Sequence, residues 1–414
     1  MNHSKKMLGL KNNWKQFTLL VLINAFVGGM VGLERTILPE IAETEFGIAA
    51  RSAIFSFIIV FGFTKALSNY FAGRFSQKFG RKKMLILGWL FGLPVPLILM
   101  YAGSWNWIIF ANVLLGVNQG LAWSANVIMK IDLAGKKDRG LAMGLNEFAG
   151  YLAVGVVAFL TGWVATEYGL RPYPFYLGIG LAVTGLAMSL FLVKDTAPWV
   201  QLESENTEHS KSTESLFWKT SWKDRNLFAV TQSGLVTNFK DGMAWGVFPL
   251  FLVASGLSLA ETGIITAVYP AFWGIFQIAT GKLSDYTGRK QMLVAGMMVQ
   301  AVSLLIFPLL TVFYHYVLVA GLLGIGTAMV YPTFLTAVAD LVHPQDRAES
   351  IGVFRLWRDG GYAFGAIFAG FVADMYTLSA AITATGIITL VSGLYIALRM
   401  NALNKPISKR FLNQ

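Results

Sequence analysis

The sequence lacks the residues that most soluble enzyme chemistries need. None of the 414 residues is cysteine, which excludes disulfides, thiol catalysis and cysteine metal sites. No Gly-x-x-x-x-Gly-Lys-Ser/Thr loop is present, which argues against ATP as an energy source. The four histidines (His3, His209, His315 and His343) lie at ends and in loops, without metal-site spacing. We therefore expect no enzyme, no catalytic residue, no metal and no cofactor.

Charge is also scarce. Charged residues make up 13% of the chain and hydrophobic residues 55%, whereas soluble domains carry about 25% charged residues. Apolar runs of about 20 residues recur along the chain, which is typical of transmembrane helices. The net charge of +11 is concentrated in alternate loops, and only Arg51 and Arg171 lie in the other loops. This asymmetry predicts a multi-pass cell-membrane protein in a lipid bilayer with both termini cytoplasmic, and no nucleic-acid partner.

Two ten-residue stretches show that the chain is duplicated. Residues 73–82 and 281–290 share Gly, Ser, Gly, Arg and Lys at the same places, at an offset of 208 residues. The offset persists downstream, where Asp132 matches Asp340 and Gly144 matches Gly352. A repeat of this length indicates two copies of one structural unit.

The apolar runs and the repeat predict four regions. These are an N-terminal six-helix bundle at 1–193, a cytoplasmic linker at 194–225, a C-terminal six-helix bundle at 226–400 and a cytoplasmic tail at 401–414. The linker is rich in Glu, Ser and Thr, a composition that predicts partial disorder.

The repeated Gly-Arg-Lys loop and the six-plus-six layout resemble the major facilitator superfamily. The resemblance implies an all-α membrane protein with twelve transmembrane helices in two pseudo-symmetric bundles, which alternately open a central cavity to either side. A monomer is expected. The sequence departs from the family at Gln77, where the loop usually has Asp, at Asn112, where many members have Arg, and at Tyr151, where many drug antiporters have Pro. These departures weaken the likeness to a typical drug antiporter.

The repeated loops are predicted to form a cytoplasmic gate. Gly80 and Gly288 allow tight turns. Arginines after them can bind carboxylates, so Asp285 is expected to pair with Arg289 or Arg347, and Asp132 or Asp138 with Arg81. Alternatively, the loops only fix topology and a turn. The predicted gate residues are Gly73, Gly80, Arg81, Asp132, Asp138, Arg139, Gly281, Asp285, Gly288, Arg289, Asp340 and Arg347.

Ionisable residues inside the predicted spans give the second functional signal. A charge at the bilayer centre costs about 3 kcal/mol on insertion scales, so such residues face a cavity or a partner. The nine are Glu34, Arg35, Lys65, Glu147, Lys240, Asp241, Arg355, Arg358 and Asp359. With nearby polar and aromatic residues they give the predicted substrate-binding and proton-coupling set: Glu34, Lys65, Trp123, Asn126, Glu147, Lys240, Asp241, Trp245, Arg355, Arg358 and Asp359.

The sign of the charge suggests a role for each of these site residues. Lys65, Arg355 or Arg358 would hold an anionic group of the substrate. Glu34, Glu147, Asp241 or Asp359 would carry a proton, because burial favours the neutral form of a carboxyl group. The repeat places Glu147 opposite Arg355, which suggests an ion pair between them. The alternative is that these residues are static ion pairs joining the bundles.

The sequence thus predicts a secondary active transporter for a small molecule, with protons as the coupling ion and an anion as one substrate option. Three alternatives stay open: a multidrug or metabolite exporter accepting cations, a lipid-type flippase whose cavity opens to lipid, and a non-transporting sensor. Fold resemblance does not identify the cargo, and the sequence does not separate import from efflux.

Overall fold

The computed structural model describes residues 7–48, 50–205, 207 and 210–401, and within them it contains helices and loops but no strand. The first helices are α1 (Leu10–Arg35), α2 (Leu38–Phe46), α3 (Ala50–Phe79), α4 (Arg81–Gly92), α5 (Pro94–Tyr101), α6 (Trp105–Asn118), α7 (Ser124–Ala134), α8 (Arg139–Tyr168) and α9 (Tyr176–Phe191). The others are α10 (Ala197–Ser204), α11 (Leu216–Trp218), α12 (Arg225–Ala254), α13 (Leu259–Thr287), α14 (Arg289–Ile306), α15 (Phe313–Leu341), α16 (Arg347–Met375) and α17 (Leu378–Arg399). Short π-helical segments occupy Gln119–Trp123 and Lys219–Lys223.

Nine helical segments in the described residues are long and apolar enough to cross a membrane. The long helices α3, α12 and α16 are not among these nine. They carry the predicted inner charges, such as Lys65, Asp241 and Arg358, which lower mean hydropathy. Asp241 and Arg358 are buried within the protein, so their helices need not present charge to lipid. The chain is a multi-pass membrane protein, and twelve crossings stay a prediction.

The helices cluster into two compact units that do not follow chain order strictly. Unit 1 comprises Met1–Lys136, Phe148–Lys211 and His343–Leu356, and unit 2 comprises Lys137–Glu147, Ser212–Val342 and Trp357–Gln414. The first turns of α8 therefore belong to unit 2, and those of α16 to unit 1. The predicted boundaries at 193 and 226 stay a prediction.

Glycines let the first turns of α8 pack closely in unit 2 and the first turns of α16 pack closely in unit 1. In unit 1, a Cβ on Gly73 would lie 2.8 Å from the Cα of Gly352. In unit 2, a Cβ on Gly281 would lie 3.1 Å from the Cα of Gly144. Small residues at these crossings let two helix backbones approach each other. The two contacts occupy matching places in the repeat.

Part of the predicted linker is helical and packs in unit 1. Among its described residues, Ala197–Ser204 form α10 in unit 1. Trp199 Nε1 donates to Asn13 Oδ1 at 3.0 Å, and Thr196 Oγ1 donates to Asp132 Oδ2 at 2.7 Å. The predicted tail lies outside the described residues, except for Asn401.

Two glycines begin the helices that follow the repeated loops. Gly80 precedes α4 with φ of 91°, and Gly288 precedes α14 with φ of 92°. Side chains other than glycine disfavour this region of backbone space. The two glycines therefore set the same reversal of direction in both copies.

We expect Gly88→Ala to destabilise unit 1. A Cβ at Gly88 would lie 2.7 Å from the backbone nitrogen of Ala122, and overpacking of this kind costs about 1–3 kcal/mol. Gly180→Ala is the matched control, because nothing lies within 4 Å of its added Cβ and alanine favours helix by about 1 kcal/mol. Thermal melting of the purified protein measures both. Equal melting temperatures would contradict this packing.

Candidate functional site

An ion pair lies in the interior of unit 2. Lys240 and Asp241 are consecutive in α12 and both have 0% exposure. Lys240 Nζ lies 2.5 Å from Asp241 Oδ1 and donates to Thr327 Oγ1 of α15 at 2.9 Å. The Tyr269 hydroxyl of α13 accepts from Lys240 and donates to Asp241. Three helices thus converge on one carboxylate.

A second ion pair joins the first through polar side chains. Arg358 Nε lies 2.8 Å from Asp359 Oδ1 in α16. Asn238 donates to Asp359 at 3.3 Å and accepts from the Tyr331 hydroxyl. The same hydroxyl lies 3.3 Å from Asp241 Oδ2. The two buried carboxylates therefore belong to one hydrogen-bonded network, which we call the Asp241 network.

The Asp241 network can exchange charge partners. Breaking a buried pair by removing one partner is strongly unfavourable, because a charge is left uncompensated. If Asp241 takes up a proton, Lys240 loses its counter-charge and becomes available to an anion. If a cation approaches Asp241 instead, it competes with Lys240. The arrangement can thus link a proton to a charged ligand.

In unit 1, another group of predicted site residues includes aromatic rings. Lys65 Nζ lies 5.6 Å from the ring centroid of Phe61 and 5.5 Å from that of Trp123, which allows cation–π attraction. Trp123 ends the π-helical segment Gln119–Trp123, a local irregularity that often occurs at functional sites. Asn126 is fully buried and its Oδ1 lacks a hydrogen-bond partner. This group of residues combines a cation, aromatic rings and a buried acceptor without a hydrogen-bond partner.

Two other predicted residues of unit 1 have polar partners. Arg355 Nη1 donates to Ser124 Oγ at 2.9 Å, and Ser124 donates to Asn69 Oδ1 at 2.6 Å. Glu34 accepts from Asn112 Nδ2 at 3.2 Å. Asn112, which stands where many family members have Arg, therefore holds a buried carboxyl group.

The predicted pairing of Glu147 with Arg355 stays a prediction. Glu147 belongs to unit 2 and is 1% exposed, and Asn146 Nδ2 donates to it at 2.7 Å. Arg355 belongs to unit 1. Trp245, also predicted, is 38% exposed on α12.

The predicted gate residues of unit 2 form a compact cluster. Asp340 lies 2.5 Å from Arg139 Nη1 and 3.0 Å from Arg289 Nε. Asp285 lies 2.8 Å from Arg289 Nη2. Asp285 also accepts from the backbone N–H of Gly140 and of the next residue at 2.9 and 3.1 Å. A carboxylate at this place stabilises the positive N-terminal end of α8.

The matching residues of unit 1 form a second cluster. Asp132 lies 3.4 Å from Arg81 Nε and 3.5 Å from Arg347 Nη1. Of the alternatives left open by the sequence, Asp132 rather than Asp138 is placed beside Arg81. Asp138 instead lies 2.8 Å from Lys282 in unit 2.

Sequence reasoning missed several network members because they are uncharged. They are Tyr269, Thr327, Tyr331 and Tyr362, the last with its hydroxyl 3.2 Å from that of Tyr331. The offset of 208 residues could have found Tyr331, since it matches Trp123. Lys130 of α7 was also missed: it is fully buried and donates to the Leu20 carbonyl at 3.1 Å.

We expect Asp285→Asn to loosen the start of α8. The amide keeps the volume but removes the charge facing Arg289 and the helix end. Because the chain lacks cysteine, Met143→Cys, at a fully buried position of α8, provides a unique thiol. Maleimide should then label this thiol at least about fivefold faster. A factor of about five corresponds to about 1 kcal/mol, the lower end of typical coupling free energies.

Asp374→Asn is the control for this labelling, because Asp374 is exposed on α16. It should leave the rate at the Met143→Cys thiol unchanged. Equal rates in the Asp285→Asn variant and the control would remove the case for a latch at this cluster.

Comparisons with known proteins agree on one family. The Major Facilitator Superfamily profile matches residues 19–239 and 233–412. "Multidrug resistance protein MdtG" of Proteus mirabilis is 24% identical over 396 residues, 93% of this chain and 96% of that protein. "Proton-coupled antiporter flippase LtaA" of Staphylococcus haemolyticus is 23% identical over 374 residues, 88% of each. The crystal structure of the human organic anion transporter MFSD10 aligns with a TM-score of 0.78 at 14% identity, covering 92% of this chain and 99% of that one. The chain therefore belongs to the major facilitator superfamily, with that family's fold, and is a membrane transporter rather than an enzyme.

Proposed function

We propose that this chain transports a small molecule across the cell membrane by alternating access, coupled to protons through Asp241. The observation that carries the proposal is the fully buried Lys240–Asp241 pair with the Tyr269 hydroxyl between them. Ionisable residues inside membrane helices are expensive and usually functional.

The coupling step is an exchange of partners at Lys240. A proton neutralises Asp241, and an anionic group of the substrate takes the place of the carboxylate beside Lys240. The buried charge around Lys240 is then balanced both before and after binding, which avoids an uncompensated charge. Release of the proton restores the ion pair and displaces the anion. Tyr269 can stay hydrogen-bonded to Lys240 in both states.

Three further observations support the proposal. The relative LtaA, which aligns with 88% of this chain, is named a proton-coupled antiporter; this supports protons as the coupling ion, whereas the coupling step at Lys240 binds proton and anion together, as a symporter does. The concentration of Lys and Arg in alternate loops supports cytoplasmic termini. The basic residues Lys65 and Arg355 in unit 1 support an anionic cargo, because each could contact a negative group.

A second candidate is export of lipophilic cations, favoured by the name of the relative MdtG. A cation would then bind Asp241 in competition with Lys240, or the buried carboxyl groups of Glu34 and Glu147. Transport of a lipid is a third candidate, since LtaA is also named a flippase.

A thermal-shift experiment separates these candidates. Ligands that bind the folded state raise its melting temperature. The purified protein is melted with benzoate, tetraphenylphosphonium or lipid headgroups, at about pH 6 and about pH 8. Anion transport predicts stabilisation by benzoate at the lower pH, which Lys240→Gln removes. Cation export predicts stabilisation by tetraphenylphosphonium at the higher pH, which Asp241→Asn removes.

We expect Asp241→Asn to uncouple transport from the proton gradient. The amide cannot exchange a proton, so accumulation of substrate in proteoliposomes driven by a pH gradient should fall at least about tenfold, equivalent to ~1.4 kcal/mol. Exchange of internal for external substrate, which needs no net proton movement, should persist. The stabilising ligand from the thermal-shift experiment serves as substrate.

Two further variants keep this result interpretable. Asp374→Asn, an exposed carboxylate on α16, should retain gradient-driven uptake. Lys240→Gln with Asp241→Asn removes both buried charges, which should restore stability lost in the single variant but not the uptake. Full gradient-driven uptake by Asp241→Asn would overturn the coupling role.

A further inference from the structure

The two gate clusters differ in one carboxylate. In unit 2, Arg139 and Arg289 are balanced by Asp285 and Asp340. The repeat relates these residues to Arg347, Arg81, Gln77 and Asp132 in unit 1. Because Gln77 is uncharged, the repeat alone gives unit 1 two guanidinium groups and one carboxylate.

The lone repeat carboxylate contacts both arginines weakly. Asp132 lies 3.4 Å from Arg81 and 3.5 Å from Arg347, whereas the ion pairs of unit 2 lie between 2.5 and 3.0 Å. Asp132 is also fully buried. Two guanidinium groups with a single carboxylate in a buried setting would leave a positive charge uncompensated.

The linker helix α10 brings a second carboxylate to this cluster. Glu203 Oε2 accepts from Arg347 Nη1 at 3.0 Å, and Oε1 accepts from Nη2 at 2.9 Å. A two-pronged contact of this kind is the strongest arginine–carboxylate geometry. Glu203 is 5% exposed and Arg347 is 1% exposed, so water screens the pair little.

The position of Glu203 is held by contacts just before α10 and in its first half. At the N-terminal end, Thr196 donates to Asp132 at 2.7 Å. Asp195 accepts from the backbone N–H of Lys82 at 2.9 Å, next to the glycine turn. Near the middle, Trp199 donates to Asn13 at 3.0 Å. The linker is thereby fixed to the loop, to the carboxylate and to α1 of unit 1.

We infer that Glu203 replaces the carboxylate missing at Gln77, which makes it a positioning residue of the transport cycle and makes α10 part of the latch of unit 1. Glu203 neutralises Arg347 and leaves Asp132 to Arg81, so each arginine gains an acidic partner. The effect on transport depends on the alternating-access function proposed above, whereas the charge replacement can be measured without any substrate.

Glu203 supplies the missing negative charge but does not occupy the position of residue 77. Asp285 contacts Arg289 and the first turn of α8, whereas Gln77 is exposed. An aspartate at position 77 would, by the repeat, lie near Arg81 and the start of α16. It would release Asp132 toward Arg347. An aspartate at position 77, as at the matching position 285, can therefore be used to test for rescue of a Glu203 variant.

The test uses a single thiol at Ser350→Cys, on the first turns of α16 and with 0% exposure. In purified full-length protein, Glu203→Gln should speed maleimide labelling at least about fivefold. Adding Gln77→Asp should return the rate to near its starting value. Glu205→Gln, an exposed acid two residues further on, should leave the rate unchanged.

A merely structural role for α10 predicts another result. In that case Glu203→Gln would speed labelling because α10 comes loose, and a carboxylate added on α3 by Gln77→Asp would not restore the rate. Unchanged labelling in Glu203→Gln, or no rescue by Gln77→Asp, would overturn the inference. If Glu203→Gln does not fold, Glu203→Gln with Arg347→Gln should fold, because both halves of the pair are removed; failure of this double variant would also count against it.

Transport is measured separately in proteoliposomes. If labelling responds as expected but gradient-driven uptake is absent in every variant including the parent, the proposed function fails and the charge replacement stands. If uptake by the parent is intact and Glu203→Gln slows it while Gln77→Asp restores it, both stand.

Discussion

The structure depends on partners that compensate the charges buried away from water. Lys240 and Asp241 are fully buried in α12, and each is held by the other and by Tyr269. Buried cations of unit 1 find different partners: Lys130 donates to a backbone carbonyl, and Arg355 to Ser124. A charge that keeps its partner is tolerable in a membrane protein, and a charge that can exchange its partner can drive a conformational step.

The duplication gives both copies the same turns, and the positions at which the copies differ include the buried charged residues. Matching glycines, Gly80 and Gly288, turn the chain in the same way in both copies. The Lys240–Asp241 pair has no counterpart, because the repeat places Gly32 and Leu33 there. Unit 2 therefore contains a buried ion pair at this position, whereas unit 1 places Lys65 beside aromatic rings.

The two clusters of predicted gate residues are built from contacts that can hold a conformational state and can also break. Arg289 has two carboxylate partners in unit 2, and Asp285 also caps the start of α8. Each contact is a discrete hydrogen bond or ion pair, so the cluster is either assembled or broken rather than gradually stretched. Glu203 of the linker helix joins the cluster of unit 1 through Arg347, and in our inference it extends the proposed latch beyond the repeated loops.

The helical membrane class, the duplication, the family and most of the charged candidates follow from the sequence alone, because hydrophobic run length, repeat offset and charge in an apolar run can all be read along the chain. The partners of these residues depend on the folded structure. Tyr269 and Tyr331 are ordinary aromatic residues until folding places their hydroxyl groups against Asp241 and Asn238. Glu203 belongs to a polar linker whose composition predicts disorder, and only docking of α10 brings it to Arg347. Hydrogen bonding and charge compensation depend on distances between helices that are far apart in the sequence, and periodicity along one helix does not contain those distances.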